Sequence, residues 1–237
     1  MKISAIVLAG GKGSRMNSDI QKQYLLLRRR PVLYYALQAF QNSSVDEIIL
    51  VVGNGTIENI SEEEYCKKEI IDKYHFNKVS HIVIGGNERY DSVMNGLDQI
   101  HKETDYVLIH DAARPCITVE LIEHCIQDVV VYKACVAAVP VKDTIKMVDL
   151  KDYAISTPDR NTLWQIQTPQ CFEYNLIRKA YHSMMADKEK SNITDDAMVV
   201  EKYSGNKVKM IHSSYKNIKI TTPEDLQIAN TFLSKNF

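Results

Sequence analysis

The apolar run Ile3-Ser4-Ala5-Ile6-Val7-Leu8 passes directly into Ala9-Gly10-Gly11-Lys12-Gly13-Ser14-Arg15-Met16. A buried strand that ends in glycines at positions 10, 11 and 13 constrains the fold more than any other stretch. It asks for a backbone free to take φ > 0 and for N–H groups turned toward an anion at the strand's end. Lys12, Arg15 and Lys22 follow closely and supply the positive charge that phosphate requires. A P-loop needs Gly-Lys-Ser/Thr at fixed spacing, and a dinucleotide fingerprint needs a glycine where Met16 stands. Both are missing. The competing reading is a tight turn with solvated charges, and the combination of strand, glycines and cations favours the anion site.

The strand-to-helix rhythm then repeats. Glu47-Ile48-Ile49-Leu50-Val51-Val52 is closed by Gly53, and His81-Ile82-Val83-Ile84 is followed by Gly85-Gly86. Tyr106-Val107-Leu108-Ile109-His110 leads into Asp111-Ala112-Ala113-Arg114-Pro115, and a further buried strand covers Cys135-Val136-Ala137-Ala138-Val139. Between them, apolar residues recur at helical spacing: Leu33, Ala36, Leu37 and Phe40 behind Pro31; Val93, Leu97 and Ile100; and Leu121, Ile122, Cys125 and Val129 behind the cap Thr118. Residues 57–74 read as a solvated amphipathic helix. Later helices run through Leu176, Ile177, Ala180 and Tyr181, from Thr194-Asp195-Asp196, and from the cap Thr222-Pro223-Glu224-Asp225, with a strand at 208–211. The alternation predicts a Rossmann-like, doubly wound α/β fold, with a mainly parallel sheet, helices on both faces, and ligands at the strands' carboxyl ends.

Residues 140–169 break the rhythm: they are polar and turn-rich, yet contain Ile145, Val148, Leu163 and Trp164. They predict a protruding β-arm whose apolar side needs a partner surface, which a twofold homodimer would supply. The 237 residues otherwise predict a single domain. A net charge of −1 leaves no footprint for nucleic acid or an anionic membrane, and no apolar run approaches the ~20 residues of a span. Cys66, Cys116, Cys125, Cys135 and Cys171 are scattered among apolar neighbours and read as core thiols of a cytoplasmic protein.

Leu8-Ala9-Gly10-Gly11-x-Gly13-x-Arg15-Met16 with Lys22-Gln23-Tyr24 resembles the nucleotidyltransferases that activate sugar phosphates. The further stretches Gly85-Gly86-x-Glu88-Arg89-x-x-Ser92-Val93, His110-Asp111-Ala112-Ala113-Arg114-Pro115 and Pro140-Val141-Lys142-Asp143-Thr144-Ile145-Lys146 narrow the resemblance, as do Asp159-Arg160-x-x-Leu163-Trp164, Gln167-Thr168-Pro169-Gln170, Thr194-Asp195-Asp196-Ala197 and the run 217–225. Together they are similar to the 2-C-methyl-D-erythritol 4-phosphate cytidylyltransferase group of the isoprenoid pathway, over essentially the whole chain. Gln21, Asn87 and Pro158 stand where that family usually has Pro, Asp and Val. Ribitol 5-phosphate cytidylyltransferases are the nearest alternative, and a non-catalytic nucleotide-sugar binding protein is a more distant one.

The resemblance implies attack of a polyol phosphate on the α-phosphorus of CTP, with loss of pyrophosphate. A phosphomonoester is largely dianionic at neutral pH, so its oxygen needs no general base, and positioning with charge neutralisation carries the reaction. Arg15 and Lys22 would brace the α-phosphate, with Arg160 and Lys219 as further catalytic cations. The CTP site would comprise Ala9, Gly10, Gly11, Gly13, Gly86, Asn87, Arg89 and Ser92. Arg89 has two readings, a nucleotide contact or a cap on its acidic surroundings. Asp111, Arg114, Thr144, Arg160, Thr168, Thr194 and Lys219 would hold the polyol phosphate. The cofactor implied is Mg²⁺ on Asp111, which could otherwise be a helix cap. His110 reads as a structural, hydrogen-bonded histidine.

Overall fold

A computed structural model describes residues 1–11, 20–190 and 192–234. Its centre is a seven-stranded sheet, built from β1 (Ile3–Ala9), β2 (Glu47–Val52), β3 (Val79–Ile84), β4 (Tyr106–Asp111), β5 (Ala134–Pro140), β6 (Trp164–Glu173) and β7 (Lys209–His212). The order across the sheet is β7-β5-β6-β4-β1-β2-β3. Pairs β1/β2, β1/β4, β2/β3 and β5/β7 are parallel, whereas β6 runs antiparallel to both β4 and β5. The carboxyl ends of β1, β2, β3 and β4 therefore open on one edge, with β1 central among them.

Alternate side chains of each strand feed opposite cores. On one face, Ala5, Val7, Leu50, Leu108 and Ala137 meet α1 (Val32–Gln41), α4 (Val119–Tyr132) and α7 (Pro223–Leu233) through Leu37, Phe40, Cys125, Val129 and Leu233. On the other, Ile6, Val51, Ile109 and Val136 meet α3 (Arg89–Leu97), α5 (Tyr174–Ala186) and α6 (Asp196–Ser204) through Val93, Leu97, Ile177, Tyr181 and Val200. All the cysteines are buried free thiols. Thr118 caps α4 by accepting from the Leu121 N–H, and Thr222 with Asp225 forms a capping box on α7. No helix among the described residues is long and apolar enough to cross a membrane.

Three local expectations are corrected. The helix expected over 57–74 starts later: Thr56–Ile57 and Ile60–Ser61 pair as a small hairpin, and α2 (Glu62–Tyr65) continues as a π-helical stretch, Cys66–Asp72. Gly10 and Gly11 do not adopt left-handed backbone, since Gly205 is the positive-φ glycine among the described residues. What Gly10 provides is close approach, because an added Cβ would stand 3.3 Å from the Val52 carbonyl.

The arm is also shorter than 140–169. Trp164, Gln165 and Ile166 pair with Pro140, Val139 and Ala138 inside the main sheet, and the strand continues to Glu173. Residues 141–163 lie outside the seven-stranded sheet, with Met147–Val148 paired to Ala154–Ser156. In this segment Met147, Val148, Leu150, Tyr153 and Ile155 are exposed, Leu150 fully so.

Candidate active site

The two glycine junctions meet. Gly85 N–H donates to the Val52 carbonyl at 2.7 Å, and Ser92 Oγ accepts from the Gly86 N–H at 3.1 Å, which draws the start of α3 against the ends of β1 and β2. A Cβ on Gly86 would stand 2.2 Å from that of Asp91, so this turn requires glycine. Gln23 Nε2 donates to the carbonyl of Ala9, fastening the one-turn 3₁₀ helix Lys22–Tyr24 to the end of β1.

Leu8, Gly10, Gly11, Lys22, Gln23, Arg89, Ser92, Asp111, Ala113 and Lys219 surround a cavity of 110 Å³ at this edge. Ligand pockets usually measure about 300–1,000 Å³, so this hollow is the size of a phosphate subsite. A larger hollow of 770 Å³, lined among others by Tyr34, Cys116, Lys216 and Phe232, holds none of the candidate residues.

The floor of the small cavity is a chain of alternating charges. Lys219 Nζ donates to Asp111 Oδ2 at 2.7 Å, Arg89 Nε reaches Asp111 Oδ1 at 3.4 Å, and the other two Arg89 nitrogens each donate to Asp196 at 2.8 Å. Tyr181 OH donates to Asp196 Oδ1 at 2.5 Å. Burial alone would raise the Asp111 pKa, but Arg89 and Lys219 overcome it and hold the carboxyl well below the usual carboxylate range. Burial likewise works against the Arg89 charge, and Asp196 and Asp111 outweigh it. Arg89 pairs fork to fork with Asp196 and also lines the cavity beside Ser92.

Asp196 is fully buried, so removing it would leave a largely desolvated guanidinium without its partner. Asp196→Ala is expected to lose about 3 kcal/mol of stability, measured by urea unfolding. A loss within the ±0.5 kcal/mol typical of surface substitutions would contradict this account of the pair.

Lys219 is aimed by its own loop. Asn217 Nδ2 donates to Gln167 Oε1 and to the Thr168 carbonyl at 3.0 and 2.9 Å. Arg114 Nη1 donates to the Asn217 carbonyl at 2.7 Å, and Ile220 N–H to the Ala113 carbonyl at 2.8 Å. Arg114 is buried, holds the Lys219 loop through Nη1 and does not line this cavity. Thr168 Oγ1 accepts from the Asp111 N–H at 3.1 Å and meets His110 Nδ1 at 2.9 Å, while His110 Nε2 faces the Arg114 carbonyl. Burial first of all lowers the His110 pKa to about 4, so the neutral imidazole is a structural link between these strands.

The remaining candidates are elsewhere. Thr144 and Arg160 are exposed on the arm, where Arg160 Nη1 donates to the Lys142 carbonyl at 2.9 Å. Thr194 is exposed at the start of α6, beside a minor hollow shared with Arg89 and Asp195, and Asn87 is exposed ahead of α3. Arg15 and Gly13 lie outside the described residues, as does Lys12. Sequence reasoning assigned no role to Asp196, Gln167, Gln170 or Tyr181. The only signal was a second aspartate after the α6 cap and polar residues inside a strand, each of which proves to be buried and bonded.

Among the described residues no group of three or more His, Cys, Asp or Glu side chains gathers to hold a metal. The single ionised carboxylate of Asp111, beside Lys22 and the glycine turn, fits instead an ion completed by phosphate oxygens and water.

A sequence model described as 2-C-methyl-D-erythritol 4-phosphate cytidylyltransferase (IspD) matches residues 3–235. The chain belongs to this family. The curated enzyme of that name from Lachnospira eligens is 53% identical over 231 residues, covering 97% of this chain and 98% of the relative. Its namesake from Lachnoclostridium phytofermentans is 50% identical, covering 99% and 97%. Among solved structures, the 4-diphosphocytidyl-2C-methyl-D-erythritol synthase of Anaerococcus prevotii superposes with a TM-score of 0.83 at 35% identity, covering 98% of this chain and 96% of the other. The Thermus thermophilus cytidylyltransferase gives 0.77 at 25% identity, covering 99% and 100%.

Proposed function

We propose that this member of the family transfers a cytidylyl group from CTP to 2-C-methyl-D-erythritol 4-phosphate in isoprenoid precursor synthesis. A phosphate oxygen of the polyol phosphate forms a bond to the α-phosphorus, the bond to the bridging oxygen breaks, and pyrophosphate leaves with that electron pair. The product is 4-diphosphocytidyl-2-C-methyl-D-erythritol. The observation that carries the reading is the cavity floor, where Lys22, Arg89, Asp111 and Lys219 converge beside Gly10 and Gly11. Such a set of fixed charges stabilises crowded phosphates without moving a proton.

In this reading Lys22, with Arg15, neutralises charge developing at the α-phosphate, and Lys219 and Arg160 neutralise the attacking phosphate. Ala9, Gly10, Gly11, Gly13, Gly86, Asn87, Arg89 and Ser92 form the CTP side. Asp111, Thr144, Thr168 and Thr194 form the polyol side. Arg114 serves that side indirectly through its hold on the loop bearing Lys219. Asp111 would hold Mg²⁺ together with substrate oxygens, and the ion would supply a Lewis acid that withdraws charge from the phosphates. Asp111 already accepts from Lys219 at 2.7 Å, so metal and lysine would share one carboxylate.

The chain would work as one nucleotidyltransferase domain and as a cytoplasmic homodimer. Support for the dimer comes from the arm 141–163, whose exposed Met147, Val148, Leu150 and Ile155 are borne on a two-stranded ladder too small to be stable alone.

The test is pyrophosphate release with CTP, UTP or ATP against methylerythritol, ribitol and other sugar phosphates. CTP should lead by at least about a hundred-fold in kcat/KM, because fixed hydrogen-bonding groups leave a wrong base with unpaired partners. Comparable kcat/KM with ATP would remove the cytidylyl assignment, and preference for ribitol phosphate would transfer the polyol assignment to the related family.

A further inference from the structure

Resting on the reading that Lys22 braces the reacting phosphates, we propose that Glu62 is the positioning residue for that lysine. Its carboxylate ties down the side chains on either side of Lys22 and fixes them to the loop leaving β2.

Glu62 opens α2 and is 3% exposed. Its Oε1 accepts from Gln21 Nε2 at 3.0 Å and from the Gly55 N–H at 3.2 Å. Its Oε2 accepts from Tyr24 OH at 2.9 Å and from the Gly53 N–H at 3.1 Å. An ionised carboxylate is an acceptor only, and here donors from two separate segments fill it.

The loop is shaped for this group. A Cβ on Gly53 would stand 2.6 Å from Glu62 Oε1, and one on Gly55 2.8 Å from it, so side chains at either position would displace the carboxylate. Two backbone N–H groups and two glycines make a cradle at the end of β2. What they cradle is bonded in turn to the segment carrying Lys22.

Several side-chain bonds hold that segment, among them one from Cys66 Sγ to Tyr24 OH. Gln21 and Tyr24 bind Glu62, and Gln23 binds the carbonyl of Ala9 at the end of β1. Lys22 sits among them on a single 3₁₀ turn that has no side-chain cap of its own. So short a turn has little stability in isolation, and its place relative to the phosphate-facing edge comes from the ties. Gln21 has φ −61° and ψ 141°, an extended backbone with the φ that a proline ring would impose. In this chain a side-chain bond to Glu62, rather than a ring, fixes that residue.

A positioning role predicts a kinetic pattern that simple destabilisation does not. Glu62→Gln keeps the shape but turns N–H donors toward groups that are themselves donors, which loosens the turn. Turnover should fall by about 10- to 100-fold, the scale of a 1 Å misplacement, with the KM for CTP changed by less than about three-fold. In a Lys22→Ala background the same substitution should cost less than about three-fold further, because the group it positions is gone.

The experiment is steady-state kinetics on wild type, Glu62→Gln, Lys22→Ala and the double variant, with thermal unfolding of each. Near-normal turnover of Glu62→Gln, or losses that multiply in the double variant, would overturn the proposal while leaving the role of Lys22 intact. Normal turnover of Lys22→Ala would overturn the reading of Lys22 and this inference with it. Should Glu62→Gln fail to fold, Gln21→Met and Tyr24→Phe each cut one tie and keep the carboxylate. Each should lower kcat several-fold in the wild-type background and have no effect in Lys22→Ala, and additive losses would again overturn the proposal.

Discussion

Replacing Lys22 by alanine should lower kcat by about 10²–10³ while changing the KM for CTP only a few-fold. The reason is that the attacking oxygen, the leaving pyrophosphate and the α-phosphate crowd negative charge together only as the bond forms. A cation on the cavity wall beside Gly10 and Gly11 gains most from that moment, so its loss appears in the transition state more than in the bound substrate. Lys219, held on Asp111 at 2.7 Å, and Arg89, bound to Asp196 by two bonds of 2.8 Å, are fixed in places of their own and do not move into that of Lys22. Lys22→Arg should recover part of the rate by restoring charge without the geometry of an ammonium. Single-turnover measurements separate chemistry from product release, and a Lys22→Ala enzyme with near-normal kcat would rule out the proposed mechanism.

Mixing Lys22→Ala and Arg160→Ala subunits should restore about a quarter of wild-type activity to two nearly inactive proteins. The expectation follows from where Arg160 stands. Its guanidinium is on the arm, bonded to the Lys142 carbonyl, and it does not line the cavity that holds Lys22, Asp111 and Lys219. If the arm crosses to a second copy, each site draws Arg160 from one subunit and Lys22 from the other. In a mixed dimer one site then collects both lesions and the other collects none. Random exchange makes half of the dimers mixed, each with one intact site of two, hence about a quarter of full activity. Exchange verified by native mass spectrometry with no activity regained would show that both residues serve their own subunit's site.

Most elements of the main sheet, and their order, were legible in the amino-acid sequence alone. Period-two and period-3.6 apolar patterns are local, and so are caps such as Thr118 and Thr222, so the β/α alternation and the two glycine junctions could be read directly. Lys22, Ser92, Asp111 and Lys219 were likewise nameable, and the fold brings them to one cavity.

Features that depend on partners distant along the chain emerge from the folded molecule. Strand β6 is rich in glutamine and threonine and reads as irregular, yet it is an interior strand, because Gln167, Thr168 and Gln170 spend their polar groups on Asn217, His110 and Asp196. The segment expected as a solvated helix from residue 57 instead begins with a hairpin and buries Glu62, since the Gly53 and Gly55 N–H groups solvate its carboxylate in place of water. The fork–fork pairing of Arg89 could not be read locally, because its partner, Asp196, is 107 residues away. Hydrophobic periodicity is written in neighbouring residues, whereas the pairing of buried charges is set by where the chain returns, and that separates what could be read from what had to be seen.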